Sequence, residues 1–433
     1  MYGVRISLGS ASPIEAAKRY RTWLQKTGQF VSMKEKIRHV PEAEKLLGAA
    51  HIYLWGDGVS KAMLDTLGKS GLARLWLGTD GWEPLRKNPD AIRKAKELGY
   101  LIAPYDSYHS IHAPTANMDE SWETAQFDKK LYETGAIERW NGKKRTGFQG
   151  KGYLLSPLVA QPYVEKRVSG LMQQFQCNSW FIDCDAFGEV FEDYSRFHSA
   201  TQEEDALARL KRMAWIRDTY HVVIGSEGGS AYAASTIHYA QGMMTGVIGY
   251  NDPDLKNPAS PYFLGKYAPS GAPKIFFMQV PLKPTFYPIH FDPRYRLPLY
   301  EAVFHDSVIA THHWSAPTLK FKGVVKERSL LELLYNVPPL YHLNQKEFRQ
   351  NGARIVAHCR DFDKLHRELG LLPMTGFQWL TGDRRVQRTV FGDRVELVAN
   401  FGETPFSYRG KAVLGKSLLK RDLTTGKTET FTP

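Results

Sequence analysis

At 433 residues, 42% hydrophobic and 24% charged, the chain has the ordinary composition of a globular protein and room for one large domain with a smaller companion. Its net charge of +12 is scattered and mixed with acids, as in Glu42-Ala43-Glu44-Lys45 and Glu203-Glu204-Asp205, and the densest basic cluster is the short Lys143-Lys144-Arg145, which argues against nucleic acid as a partner. Cys177, Cys184 and Cys359 supply neither a disulfide framework nor metal-ligand spacing, and no run approaches 18 apolar residues, so no membrane span is expected.

Residues 1–48 read as a strand followed by helices. No charged segment leading into an apolar one opens the chain, so no signal peptide is expected and the location is cytoplasmic if Met1 is the true start; the first residues read as mid-strand, which also fits a truncation point. Ser12-Pro13-Ile14-Glu15 predicts a helix start with Ser12 at the cap. A strand-helix alternation follows. Residues 51–56, 73–78 and 100–106 are strands; 61–69 and a segment opening at Asn88-Pro89 are helices.

Residues 107–156 break the rhythm with polar composition, five glycines and the aromatics Trp122, Trp140, Phe148 and Tyr153, as expected of a functional insertion on the face where the third strand ends. A helix from Pro157 carries Val164, Val168, Leu171 and Phe175 at helical spacing. The apolar strand Ser179-Trp180-Phe181-Ile182-Asp183 then runs into Cys184-Asp185. Thr201-Gln202-Glu203-Glu204 is a capping box, and residues 221–229 form another strand that ends in Glu227-Gly228-Gly229. Strand patterns continue less cleanly at 247–249, 275–278 and 308–310, and 382–433 reads as a small antiparallel β domain. The alternation over 49–381 predicts an α/β fold, a (β/α)8 TIM-type barrel with that C-terminal β domain. An open doubly wound sheet is the alternative, without a Gly-x-Gly-x-x-Gly or Walker loop to favour it.

Carboxylates at strand ends carry the functional signal. Alternation places Phe181, Asp183 and Asp185 on one face, with Ile182 and Cys184 on the other. With Glu227 and Asp106 they gather acids on the barrel's open face, as glycoside hydrolysis requires of a carboxylate pair flanking the scissile bond. Two glycines after Glu227 permit close approach by ligand or backbone. Trp55, Trp76, Trp82 and Trp314 at strand ends are candidate sugar-stacking faces, each taken singly better suited to the core. His109, His112, His305, Asp306, His312 and His313 read as core or rim groups rather than a zinc set, since His-Glu-x-x-His is absent. There is no Gly-x-Ser-x-Gly elbow.

Residues 181–185, Gly225-Ser226-Glu227-Gly228-Gly229 and residues 296–306 resemble the catalytic barrel of the α-N-acetylgalactosaminidases of glycoside hydrolase families 101 and 129, and Pro104-Tyr105-Asp106-Ser107-Tyr108 is similar to a substrate-binding segment there. The resemblance implies retaining hydrolysis of an α-linked galacto-configured sugar, with Asp183 as nucleophile, Glu227 as acid/base, and Asp106 and Tyr105 on substrate. The second acid, Asp185, leaves the nucleophile open between the two. The implied partner is a glycan or glycoconjugate, and the chemistry needs no metal or cofactor. Glu227 is expected to have a raised pKa from its apolar strand and neighbouring carboxylates. An α-galactosidase or α-glucosidase, and an inactive sugar-binding barrel, are the alternatives. The chain is shorter than the endo-acting members and lacks an N-terminal sandwich.

Overall fold

Eight short runs whose residues are apolar on both faces become parallel strands, as expected where helices cover one side and a packed interior fills the other. In the computed structural model, which describes residues 6, 8–114 and 122–433, they are β1 Ala50–Leu54, β2 Leu75–Thr79, β3 Leu101–Ser107, β4 Ser179–Asp183, β5 Val223–Glu227, β6 Tyr239–Thr245, β7 Ile309–His312 and β8 Leu340–Leu343. They pair in parallel in the order β7-β6-β5-β4-β3-β2-β1-β8. Among the described residues no ladder joins β7 to β8. Thr318, in the loop after β7, spans that seam instead: its N–H donates to the Leu340 carbonyl at 2.8 Å, and its hydroxyl accepts from the Leu340 N–H at 3.1 Å. The predicted (β/α)8 barrel is present and nearly closed.

The barrel interior is a packed core rather than a pore. Trp76, Leu101, Ala103, Phe181, Val223, Tyr239 and Ile309 fill its lower part together with Met33, Val40, Ala43 and Leu46 from the N-terminal segment. Helix Met33–His39 and the turn Pro41–Leu46 thus plug the base of the barrel, while helix Glu15–Lys26 packs against helix Leu299–Phe304. The buried Lys36 ammonium donates to the carbonyls of Ala234, Ile237 and Ser307, replacing its lost hydration with three aimed dipoles. Arg21 holds the Asp306 carboxylate with two hydrogen bonds, at 2.6 and 2.8 Å. The expected opening strand falls mostly outside the described residues. Ser12 does not cap the first helix: Ser12-Pro13 forms a turn, and the helix begins at Glu15 behind Ile14. The capping box at Thr201 and Glu204 is formed as expected.

Two sequence expectations fail beyond β5. The strand patterns at 247–249 and 275–278 are not barrel strands; the sixth strand is Tyr239–Thr245, and Lys274–Phe277 is a helical turn inside a long excursion between β6 and β7. Period alone does not separate a short apolar strand from aromatic residues packing a loop. The C-terminal β region is present as an antiparallel sheet of Met374–Trp379, Val386–Phe391, Val395–Asn400, Ser417–Asp422 and Thr428–Phe431, so it takes in one strand ahead of residue 382. Among the described residues no helix is long and apolar enough to cross a membrane.

Candidate active site

The carboxyl ends of β4 and β5 bring Asp183 and Glu227 together. Alternation along β4 sends Phe181 into the barrel interior, and Asp183, two residues on, opens into the mouth above it. Oxygens of the two carboxylates lie within 4.8 Å of each other. Tyr105, inward-facing at the end of β3, donates its hydroxyl to Asp183 Oδ2 at 2.7 Å. His313, just past β7, places Nε2 2.5 Å from Glu227 Oε1, and Trp314 Nε1 lies 3.4 Å from the same oxygen. Gly228 adopts φ +69°, and a Cβ there would meet the Phe187 backbone at 2.6 Å, so the glycine serves the close backbone approach expected of it.

Strand parity fails directly after Asp183. Cys184 has φ +64°, a left-handed conformation, which folds its side chain back toward Asp183 instead of away from it. The thiol lies 3.3 Å from Asp183 Oδ2 and 3.5 Å from Glu227 Oε2. The same turn carries Asp185 out of the cleft. Asp185 is fully buried behind β4, bound by two nitrogens of Arg212, one of them Nε at 2.5 Å, with Arg209 at 3.8 Å. It belongs to a structural ion pair and is out of reach of an anomeric carbon.

Asp106 is corrected because parity holds along β3. Leu101, Ala103 and Tyr105 face inward, so Asp106 faces outward, fully buried beneath helix Pro157–Phe175. Tyr108, the Ser107 N–H and Arg167 bond to it at 2.7, 2.9 and 3.3 Å, leaving no opening for a sugar hydroxyl. Trp76 stacks on His51 at 3.7 Å inside the lower barrel, and Trp55 is buried with its N–H on His342, so neither presents a face to ligand. Trp314 is half-buried beside Glu227 and stays in the site.

Sequence reasoning missed Asp80 and His313. Asp80 follows β2 immediately, is exposed, and has no ion-pair partner among the described residues. Its position after an apolar strand was a usable signal, equal to that of Glu227. His313 carried none, because its partner lies 86 residues away in the chain.

The electrostatics overturn the expected raised pKa of Glu227. Burial does push its carboxyl up, but hydrogen bonds, led by that from His313 and joined by those from Asp183 and Trp314, outweigh it and bring it to about 2. Asp183 moves well above the ordinary range through burial and the Glu227 charge. Two buried carboxylates this close resist joint ionisation, so the pair holds one proton, drawn toward Asp183. Among the described residues, Asp183, Cys184 and Glu227 are also a set of potential metal donors, their atoms within 4.8 Å of one another. Their observed bonds run to each other and to Tyr105, His313 and Trp314.

The family model of glycosyl hydrolases related to the GH101 family, GH129, matches residues 66–390. The α-N-acetylgalactosaminidase NagBb of Bifidobacterium bifidum, in its complex with GalNAc, superposes with a TM-score of 0.62 at 17% identity, covering 96% of this chain and 63% of that one. A cycloalternan-degrading enzyme of Trueperella pyogenes superposes at 0.54 with 10% identity, over 96% of this chain and 62% of that one. The chain therefore spans less than two thirds of the length of either protein, and at these identities the likeness concerns the fold. No curated protein matches the chain.

Proposed function

The chain belongs to the glycosyl hydrolases related to the GH101 family, GH129, and is a glycoside hydrolase; from that premise we propose a retaining α-glycosidase acting on an α-linked galacto-configured sugar, with N-acetylgalactosamine as the first candidate. One observation carries the mechanism. Asp183 and Glu227 carry oxygens within 4.8 Å of each other, which suits the ~5–5.5 Å separation of covalent catalysis and falls short of the ~6.5–9.5 Å that inversion needs for a water. The choice of sugar is supported by the named activity of the Bifidobacterium enzyme.

Asp183 attacks the anomeric carbon while the bond to the leaving oxygen breaks and that oxygen takes a proton from Glu227. Glu227 then removes a proton from water as the water displaces Asp183. The pair needs one proton in total, which is what it holds; substrate entering between the carboxyls shifts that proton from Asp183 to Glu227. Tyr105 donates to the attacking carboxylate and favours its charge. Asp80, an unpaired acid at the neighbouring strand end, accepts from a sugar hydroxyl, the role that buried Asp106 does not fill.

A panel of p-nitrophenyl α-glycosides (N-acetylgalactosaminide, galactoside, glucoside), with the first-formed product anomer followed by NMR, tests this reading. The α-N-acetylgalactosaminide is the expected best substrate, with the α-anomer released first. A β-anomer formed first excludes the retaining mechanism, and preference for another sugar excludes the substrate.

A further inference from the structure

We propose that His313 is a positioning residue that reserves one oxygen of Glu227 as an acceptor and so confines the transferable proton to the other; this rests on the acid/base role of Glu227. The argument begins at the far side of the imidazole. The Ser315 backbone N–H lies 3.1 Å from His313 Nδ1, and the Ser315 hydroxyl lies 2.5 Å from the same nitrogen. A backbone N–H only donates, so Nδ1 carries the lone pair and Nε2 carries the ring proton. That proton points at Glu227 Oε1, 2.5 Å from Nε2. Indole Nε1 of Trp314, also donor-only, is 3.4 Å from the same oxygen.

Oε1 thus faces two N–H groups. A proton on it would oppose both donors, so the acid's proton resides on Oε2. Oε2 is the oxygen beside Cys184 Sγ, on the side of Asp183, where the glycosidic oxygen must enter. In the first step Oε2 gives its proton to the leaving oxygen as the C–O bond electrons pass to that oxygen. In the second, Oε2 takes a proton from the attacking water, and the electrons of the Asp183–carbon bond return to Asp183. Oε1 stays hydrogen-bonded to His313 throughout. The ring is held in place by its own backbone: His313 N–H donates to the Thr245 carbonyl of β6 at 2.7 Å, and its carbonyl accepts from Ala316 N–H at 2.9 Å.

The other titratable groups around Glu227 leave Oε1 to these two donors. Asp183 and Cys184 approach from β4. Tyr53 of β1, Tyr105 of β3, His109 beyond β3 and Tyr267 of the β6–β7 excursion interact with it electrostatically. Loss of the His313 donor removes stabilisation of the ionised pair, so both pH limbs of kcat/KM move upward.

The test compares His313→Leu, His313→Gln and Glu227→Gln on α-glycosides of one sugar whose leaving groups run from dinitrophenol to a serine hydroxyl. His313→Leu is expected to lose about 10–100-fold in kcat/KM on the serine glycoside, the worth of one hydrogen bond to a charged group, and under about 3-fold on the dinitrophenyl glycoside, which departs without a proton. His313→Gln, which keeps an N–H within reach, restores most of the loss, and the acid limb of His313→Leu moves toward neutral pH. If the leucine variant does not fold, His313→Asn, whose shorter amide does not reach Oε1, takes its place. Equal losses across leaving groups, unmoved limbs, or a glutamine variant no better than the non-donor overturn the proposal. Should Glu227→Gln itself show no leaving-group dependence, the acid/base assignment fails. If Glu227→Gln shows it and the His313 variants do not, the role of His313 alone fails.

Discussion

His312 and His313 are neighbours, and each aims Nε2 at a glutamate, yet the two pairs end in opposite states. His312 lies in the barrel wall, 2.7 Å from Glu332 Oε1, which also accepts from Thr318 at 2.8 Å. Arg328 Nε, a donor, lies 3.4 Å from the same imidazole nitrogen, and the far nitrogen of His312, Nδ1, is buried without a hydrogen-bond partner among the described residues. Burial pushes Glu332 up to about 8 against the opposing Arg328 charge and Thr318. His313 has its donors on the far nitrogen and donates an Nε2–H hydrogen bond to Glu227, which falls to about 2. Both glutamates are buried. What separates them is the balance against burial: hydrogen bonds led by that of His313 outweigh it at Glu227, whereas at Glu332 it outweighs the Arg328 charge and the Thr318 hydrogen bond.

The largest effect that tests this contrast is on the catalytic side. Asp183→Asn is expected to abolish turnover, and Glu227→Gln to lower kcat/KM on poor leaving groups by about 10²–10⁴-fold, with melting temperatures unchanged or raised because a like-charge contact is relieved. Hydrolysis rates and thermal melts on the same samples check both statements; a destabilised Asp183→Asn would place that residue with the structural acids. Asp185→Asn inverts the pattern. It leaves Arg212 and Arg209 buried without their carboxylate, and about 3–5 kcal/mol of stability is lost in denaturant titration. A variant that folds normally but is inactive would return Asp185 to the chemistry.

Smaller effects follow pH. Because the catalytic pair holds one proton from about 2 to well above the carboxylate range, kcat/KM should stay on a plateau through mildly acid pH, where an isolated carboxylate acid/base would already titrate. Glu332 gives the smallest signal. Its folded value, raised from 4.5 to about 8, means the unfolded chain loses the proton first, so stability is full below about 4.5 and falls as pH rises toward about 8. Glu332→Gln, the uncharged isostere, should flatten the decline of melting temperature over that window and leave turnover within about 2-fold, as expected for a residue outside the cleft. An unchanged slope would mean that Glu332 is already ionised in the wall.

The barrel itself was legible because buried parallel strands announce themselves as apolar runs spaced by helices, and Asp183 and Glu227 because an acid directly after such a run is costly without a purpose. The β6–β7 excursion was not. Its aromatics Tyr267 and Phe276 pack on each other and on Trp314, mimicking strand composition without strand pairing.

Local order along the chain decided which residues stand at strand ends, since a strand's parity and length follow from its own side chains. Tertiary structure alone decided which of those acids face the cleft. One left-handed residue, Cys184, breaks the parity that Asp183 and Asp185 would have shared, and outward parity hides Asp106 under a helix. It also decided the protonation of the pair, because the donors on Glu227 arrive from β7, 86 residues further along, and a hydrogen bond between distant segments leaves no period or spacing in the sequence to read.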